Sequence, residues 1–311
     1  MEFFRKTTRF PFMATRRRWY VVSATVILVS LLVLAVRGLN FGIDFTGGVV
    51  LELGFPQAAE IDKVRQALGA SGFGDAAVQS FGTPRDVMVR LLPEEGRDTN
   101  QLAASALEAI RSYEPGVELR RTEVVGPQVG RELAEKGALA VLFTFLLIMA
   151  YVAFRFQWKL GVGAIVAAMH DPFVILGVFA LTGLTFDLPA LAAILAVIGY
   201  SLNDTVVVFD RIRERFLSMR KGTPEQVMDA AINETLSRTI MTSGTTLITV
   251  LALLFFGGEI LRSFATALAI GIVVGTYSSI YVASALALDL KLTARDLMPV
   301  QREKDAVDDM P

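Results

Sequence analysis

The chain of 311 residues contains no cysteine and a single histidine, His170. Without cysteine there can be no disulfide, no thiolate nucleophile and no cysteine metal site. One histidine leaves little room for a transition-metal centre, because such centres draw most of their ligands from imidazole and thiolate groups. The sequence therefore predicts no cofactor and no metal. It also predicts that any folded part outside a membrane is held together by its own apolar core.

Apolar residues make up 53% of the chain and are gathered into long runs, with a mean hydropathy of +0.51. A bilayer core about 30 Å thick requires roughly 20 apolar residues in a helix. Six runs approach that length and are predicted to be transmembrane helices: 19–36, 137–154, 160–181, 188–209, 239–256 and 264–290. Residues 37–136, between the first two runs, are polar and numerous enough to form a small folded domain.

Positive charge is distributed unevenly around these runs, although the net charge is only −1. Residues 1–18 carry six cations, and the connector 210–238 between the fourth and fifth runs carries another six. The link 182–187 carries none. By the positive-inside rule, both termini and the connector are predicted to be cytoplasmic, together with a polar tail at 291–311. The domain 37–136 is then predicted to lie on the far side of the membrane.

The domain 37–136 alternates between strand and helix patterns. Strand-like residues at 49–53 precede a helical spacing at 57–68, and a hairpin at 76–92 turns across residues 82–85. A second helix at 101–113 and a strand at 117–125 complete the order β-α-β-β-α-β, which predicts a ferredoxin-like fold. The domain carries no catalytic constellation, so we interpret it as a contact or mechanical module.

Asp204 lies inside the fourth apolar run. A charged side chain at the centre of a spanning helix costs about 2.5–3.5 kcal/mol on insertion scales, and such residues usually belong to ion or proton pathways. Arg238 directly precedes the fifth span, and both residues are predicted to lie in the cytoplasmic half of the membrane. A carboxylate balanced between burial and a nearby cation could take up and release a proton. The alternatives are a permanent structural ion pair, or an Arg238 that reaches to the lipid headgroups.

His170 and Asp171 form a second polar pair, in the third span and directly before Pro172. Imidazole titrates near neutral pH, so the pair could be a proton relay. A packed hydrogen-bonded pair at a proline kink is an equally good interpretation. Two aspartates within spans also suggest an intramembrane aspartyl protease, but the Gly-x-Gly-Asp element of such proteases is absent around both of them.

The last two spans carry periodic patterns. In the fifth, four threonines recur at steps of three and four residues after Arg238, which favours a hydrated or helix-facing surface over side chains bonded to their own backbone. In the sixth, small residues recur at every fourth position and include Gly271, Gly275 and Ser279. Such a seam lets another helix approach closely.

Five motifs follow one another along the chain: FGIDFTGG at 41–48, VGPQVG at 125–130, GYSLNDT at 199–205 with DRIRE at 210–214, SRTIMTSGTT at 237–246 and SSIYVASA at 278–285. In this order they resemble the motifs of the SecF family of bacterial protein-export membrane proteins. The resemblance covers residues 19 to 292. Pro172 departs from the apolar residue expected after the His-Asp pair.

The resemblance implies a six-span half of a resistance-nodulation-division fold in the bacterial inner membrane. It implies a partner, SecD, and action beside the SecYEG channel, with YajC and YidC as further candidate partners. The complex would use the proton gradient to pull unfolded preprotein to the periplasmic side, with no covalent chemistry on the substrate and no nucleic acid. Asp204 and Arg238 would serve proton coupling, with Asn203 and Tyr200 from the same motif. The rival function is a proton-coupled small-molecule exporter on the same fold.

Overall fold

The computed structural model describes residues 8–93, 98–219 and 222–298. The first span, α1 (Arg16–Arg37), follows a single 3-10 turn (Met13–Thr15) and ends at Gly38, whose φ of 67° stops the helix. Most of its side chains are exposed in the isolated chain, as expected for a helix whose surroundings are lipid. The predicted tail lies largely beyond residue 298, and its stretch 301–311 is outside the described residues.

The domain after α1 has the element order predicted for its core. The elements are β1 (Asn40–Phe41), α2 (Ile43–Thr46), β2 (Gly48–Gly54), α3 (Ile61–Ala70), β3 (Ala77–Phe81), β4 (Thr83–Leu91), α4 (Thr99–Tyr113) and β5 (Glu118–Val125). Four strands form one antiparallel sheet in the order β3-β4-β2-β5. Alternate residues such as Val49, Leu51 and Leu53 point to one face, where α3 and α4 cover them.

Two boundaries in this domain differ from the sequence prediction. The hairpin turn was predicted across residues 82–85, but β4 already begins at Thr83. Gly82 alone reverses the chain because it adopts a φ of 75°, a conformation that favours glycine. The predicted helix 57–68 begins only at Ile61, since residues 57–60 form no helical turn.

Five further spans follow, so the described residues contain the six helices of membrane-crossing length and hydropathy that the sequence predicted. They are α5 (Pro127–Arg155), α6 (Trp158–Thr182), α7 (Leu188–Ser218), α8 (Pro224–Phe256) and α9 (Arg262–Ser278), which continues through a π-helical segment (Ser279–Ser284) into α10 (Ala285–Asp289). A short strand β6 (Thr185–Phe186) pairs with β1, and α11 (Ala294–Leu297) follows the last span.

Two of these helices begin earlier than expected. Helix α5 begins ten residues before the predicted span, directly after β5. Helix α8 begins fifteen residues before the predicted span and runs into it without a break, after a capping box formed by Thr223 and Gln226. Helix α6 continues through Pro172, whose missing N–H removes one hydrogen bond from the ladder of the third span.

The amino-terminal segment lies along the beginning of α8. Asn233 accepts a hydrogen bond from the Phe10 backbone N–H and donates one to its carbonyl, both at 2.9 Å. The carboxylate of Asp229 accepts from the Met13 backbone N–H at 2.8 Å, and the Met13 side chain is fully buried. Arg16 then pairs with Glu225 and with Asp289, which ties the first, fifth and sixth spans together at one end.

Candidate functional site

Asp204 lies where three spans meet. Its Oδ1 accepts a hydrogen bond from Thr239 Oγ1 of α8, and its Oδ2 accepts one from Ser279 Oγ at the end of α9, both at 2.9 Å. The side chain is only 7% exposed. Two hydroxyl groups from neighbouring helices therefore hold this carboxylate in place of water.

Arg238 is the residue before Thr239 on α8, but its side chain is exposed. Among the residues that the structure describes, no hydrogen bond or ion pair joins Arg238 to Asp204. Asn203 is also exposed, so two polar residues of the predicted site lie open on the surface beside the buried carboxylate. Tyr200 is half-buried, and its hydroxyl lies 3.4 Å from Ser243 Oγ of α8.

Asp171 is fully buried and has three polar neighbours. Its Oδ2 accepts hydrogen bonds from Ser201 Oγ of α7 at 2.5 Å and from Ser278 Oγ of α9 at 3.0 Å. Its Oδ1 lies 3.0 Å from His170 Nδ1. The other ring nitrogen of His170, Nε2, is buried and has no hydrogen-bond partner within the described chain.

The two aspartate sites share the same pair of helices. Ser201 and Asp204 are three residues apart and therefore lie on one face of α7. Ser278 and Ser279 are adjacent, and one reaches Asp171 while the other reaches Asp204. A small displacement of the last span against α7 would change the hydrogen bonds of both carboxylates together.

Glycines of the small-residue seam bring these helices together. A Cβ atom at Gly271 would lie 2.2 Å from Val197 Cγ2, and one at Gly275 would lie 2.9 Å from Ser201 Cβ. Neither distance is tolerable for real atoms, so only glycine permits the observed approach of α9 to α7. Ser279 was predicted from the sequence only as a packing residue, yet it is also a hydrogen-bond donor to Asp204.

The π-helical segment begins at this serine. The Ser284 hydroxyl donates to the carbonyl of Ser279 at 2.8 Å, across five residues rather than four. Single turns of this kind interrupt α-helices most often at functional sites. Nothing in the hydropathy of the sixth run signals this turn. The only sequence signal is the concentration of serine at positions 278, 279 and 284.

The threonine stripe of α8 is arranged differently from the interpretation favoured by its spacing. The hydroxyls of Thr242, Thr245, Thr246 and Thr249 each donate to the carbonyl four residues earlier, at 2.8–3.1 Å. Thr242, Thr245 and Thr249 are exposed in the chain. Their polar groups are thus satisfied locally, which is the common arrangement for threonine in a spanning helix.

The chemistry available at these sites is proton exchange. Burial favours the protonated form of a carboxyl group, and hydroxyl donors favour its ionised form. A carboxyl group subject to both effects changes its protonation state when hydration or helix positions change. Within the described ranges, no group of three or more histidine, aspartate or glutamate side chains could hold a metal ion.

The chain is similar to proteins of the export machinery over nearly its whole length. A family model described as protein export membrane protein SecD/SecF, C-terminal, matches residues 106–293, and a SecD/SecF GG motif model matches residues 32–59. The protein translocase subunit SecF of Vibrio alginolyticus is 52% identical over 94% of this chain and 96% of its own length. The corresponding subunit of Escherichia coli O157:H7 is 42% identical over 94% of this chain and 92% of its own length.

A solved structure extends the similarity to the fold. The crystal structure of SecDF, a translocon-associated membrane protein from Thermus thermophilus, matches with a TM-score of 0.81 and 41% identity. The match covers 91% of this chain but only 39% of the SecDF chain. The identity, the coverage and the matched family models agree, and the chain therefore belongs to the SecF family of protein-export membrane proteins.

Proposed function

We propose that this chain is an auxiliary subunit of the Sec protein translocase that uses the proton gradient to promote preprotein export. Membership of the SecF family supports the export role, because its curated relatives are named protein translocase subunits. One observation supports proton coupling above all others. The buried carboxylate of Asp204 is held by hydroxyls from two other spans, so a change of its charge acts on three helices at once.

The coupling step follows from hydrogen-bond chemistry. An ionised carboxylate accepts charge-assisted hydrogen bonds, which are roughly twice as strong as neutral ones. When a proton binds Asp204, the bonds from Thr239 and Ser279 weaken, and one carboxyl oxygen becomes a donor. Helices α8 and α9 then lose a contact that holds them against α7, and they regain it when the proton leaves.

In this proposal the displacement of the helices moves the domain 37–136, called the outer domain below. Its order β-α-β-β-α-β and its sheet order β3-β4-β2-β5 support a ferredoxin-like fold. Helix α5 leaves β5 after the single residue Gly126 and runs on into the membrane, so displacement of the spans reaches the domain through a helix. The distribution of cations supports cytoplasmic termini and, with this chain in the inner membrane, a domain on the periplasmic side.

The partners in this proposal are SecD, the SecYEG channel and unfolded preprotein, with YajC and YidC beside them. The solved SecDF chain supports SecD, because this chain matches only 39% of that longer protein. Arg238 and Asn203 are exposed next to the Asp204 site, which is where a second membrane subunit would complete a buried polar centre. The chain does no covalent chemistry on its substrate in this proposal.

The test compares two asparagine substitutions on one helix. Asp204→Asn is nearly isosteric but cannot titrate, so it should retain expression and assembly with SecD while abolishing gradient-dependent export into membrane vesicles. Asp210→Asn is the matched control, because Asp210 lies two turns later on α7 and pairs with Arg155 at the exposed end. Normal export by a well-expressed Asp204→Asn variant would remove Asp204 from the mechanism.

A further inference from the structure

A cavity of about 600 Å³ lies among the second, third and fourth spans and the residues that follow the first span. One wall consists of Ala138, Val141 and Phe145 of α5, and the opposite wall includes Phe173 of α6 and Ile194 of α7. Its volume falls within the range of roughly 300–1,000 Å³ that is usual for small-molecule sites. Its walls are almost entirely apolar, so water gains few hydrogen bonds inside it.

Helix α5 touches its neighbours at two separate places. Near the start of α5, Gly137 packs so closely on Leu191 that a Cβ atom would lie 2.8 Å from that side chain. Near the end of α5, Val152 packs against Gly161 of α6. The cavity surrounds the first of these contacts, since Ala134 and Gly137 line it as well as Val141 and Phe145. Phe41 and Phe45, which follow the first span, also line it.

A cation without a carboxylate partner among the described residues lies beside Phe41, which lines the cavity. Arg90 of β4 donates to the carbonyl of Phe41, a lining residue, at 2.8 Å and to Asn40 Oδ1 at 2.6 Å. No carboxylate pairs with this guanidinium in the part of the chain that the structure describes, and burial lowers the pKa of Arg90. A guanidinium has five N–H donors, so several remain for an anion such as a phosphate.

The size of the cavity separates two kinds of apolar occupant. An α-helix about 10 Å wide with a pitch of 5.4 Å occupies roughly 400 Å³ per turn, so the cavity would hold little more than one turn of a partner helix. A flexible acyl chain can follow the narrow gap between α5 and α6. The phosphate headgroup of the same lipid would then reach the guanidinium of Arg90 beside Phe41.

We propose that this cavity binds one acyl chain of a phospholipid and that Arg90 binds the phosphate of the same molecule. Pro172, directly after Asp171, forms part of the wall, so the bound chain lies against the helix that carries the second aspartate site. The lipid would fill the space that α5 leaves open and hold that helix at its observed distance.

The test uses the full chain, purified with SecD and placed in vesicles containing phosphatidylglycerol with a diazirine in its acyl chain. After photolysis, mass spectrometry of peptides should find adducts on Val141, Phe145 or Phe173. Ala138→Phe fills the cavity and should abolish these adducts. Ala140→Phe, the same change on a residue outside the lining, should retain them. Adducts on Leu147, which is 69% exposed, measure general contact with lipid in every sample.

A second pair of variants tests the headgroup without altering the cavity. Arg90→Gln should weaken adduct formation on the order of tenfold, because a hydrogen bond to a charged group is lost, and Arg90→Lys should retain most of it. Adducts that persist in Ala138→Phe would overturn the proposal. So would their absence from the unaltered chain when Leu147 is labelled, since a partner helix or nothing then occupies the space. The readout does not depend on export, so its failure is distinct from failure of the proposed function.

Discussion

The two aspartate sites use the same chemistry in different surroundings. Asp171 is fully buried and is held by Ser201, Ser278 and His170, all from its own chain. Asp204 keeps 7% of its surface, is held by two hydroxyls, and has an exposed arginine one residue away from its threonine partner. A polar group that is fully satisfied within one chain contributes to a unique fold. Asp204 lies next to exposed polar residues, where a partner subunit can act on it. We therefore expect the two sites to differ in function.

The largest expected effect on export concerns Arg238, the exposed cation beside the Asp204 site. Arg238→Met should abolish gradient-dependent export. Asp204 would lose the positive charge of Arg238, which is exposed and directly precedes Thr239. Arg238→Lys should retain partial activity, since lysine keeps the charge but not the planar fork of donors. Export in vesicles and infrared titration of the carboxyl band would measure both effects. An unchanged infrared midpoint in Arg238→Met would mean that the two residues are not coupled.

A crossed pair of substitutions would separate the roles of the two aspartates. Asp171→Asn should lower the free energy of unfolding by about 1–3 kcal/mol, because an amide in place of one carboxyl oxygen leaves a buried donor unsatisfied. Asp204→Asn should lower it by less, since Asp204 has two side-chain partners where Asp171 has three, and is less completely buried. Export should fall in the opposite order. Denaturant unfolding in detergent measures the free energy of unfolding, and vesicles measure export. Equal effects of the two substitutions on export would refute a separate role for each aspartate.

Two adjacent serines provide a smaller and better matched comparison. Ser278→Ala removes a donor to Asp171, and Ser279→Ala removes a donor to Asp204. Each should cost about 1 kcal/mol of stability, which is the usual net value of one hydrogen bond. Only Ser279→Ala should slow export. If Ser278→Ala slowed it equally, the last span would act as one rigid unit on both carboxylates.

The smallest effect belongs to Asp296, a half-buried carboxylate after the last span that serves as a reference for both buried ones. Hydrogen bonds from Lys159 and Thr293 lower the pKa of Asp296 from 3.8 to about 2. The stability gained is therefore fully present above about pH 4 and is lost as the pH falls towards 2. Thermal unfolding of the unaltered chain and of Asp296→Asn should converge over that range. A constant difference between them would show that the pair does not titrate as described.

The apolar runs predicted the number of spans but not their ends. Helices α5 and α8 extend ten and fifteen residues before the predicted runs, at Gly137 and Thr239, because the backbone ladder continues through polar residues that hydropathy does not recognise. The outer domain was predicted in the correct order, since its strands and helices have clear periods. Its hairpin was misplaced because one glycine completes a turn for which four residues were expected.

The carboxylates of the candidate site could be found from sequence, but their partners could not. Asp171 and Asp204 stand out because charge is rare inside an apolar run. Serine and threonine do not stand out there, since each can bond to its own helix, as Thr242 does. Only the crossing of helices determines that Ser201 and Ser279 turn towards a carboxylate instead. That crossing depends on glycine contacts between segments about 75 residues apart in the chain, at a range that local patterns do not encode.

The amino-terminal segment holds the first part of α8, and other contacts hold its second part. Asn233 and Asp229 fasten residues 10–13 to its first turns, and most of its buried side chains precede Ser243. Beyond Ser243 the helix packs on the last span, where Val250 is buried against Ala265 and Ile272, while Phe255 and Phe256 are exposed. Thr239, which bonds Asp204, lies between these two parts. A displacement of the second part together with the last span would therefore reach the carboxylate at Thr239, on the scale on which a hydrogen bond forms or breaks.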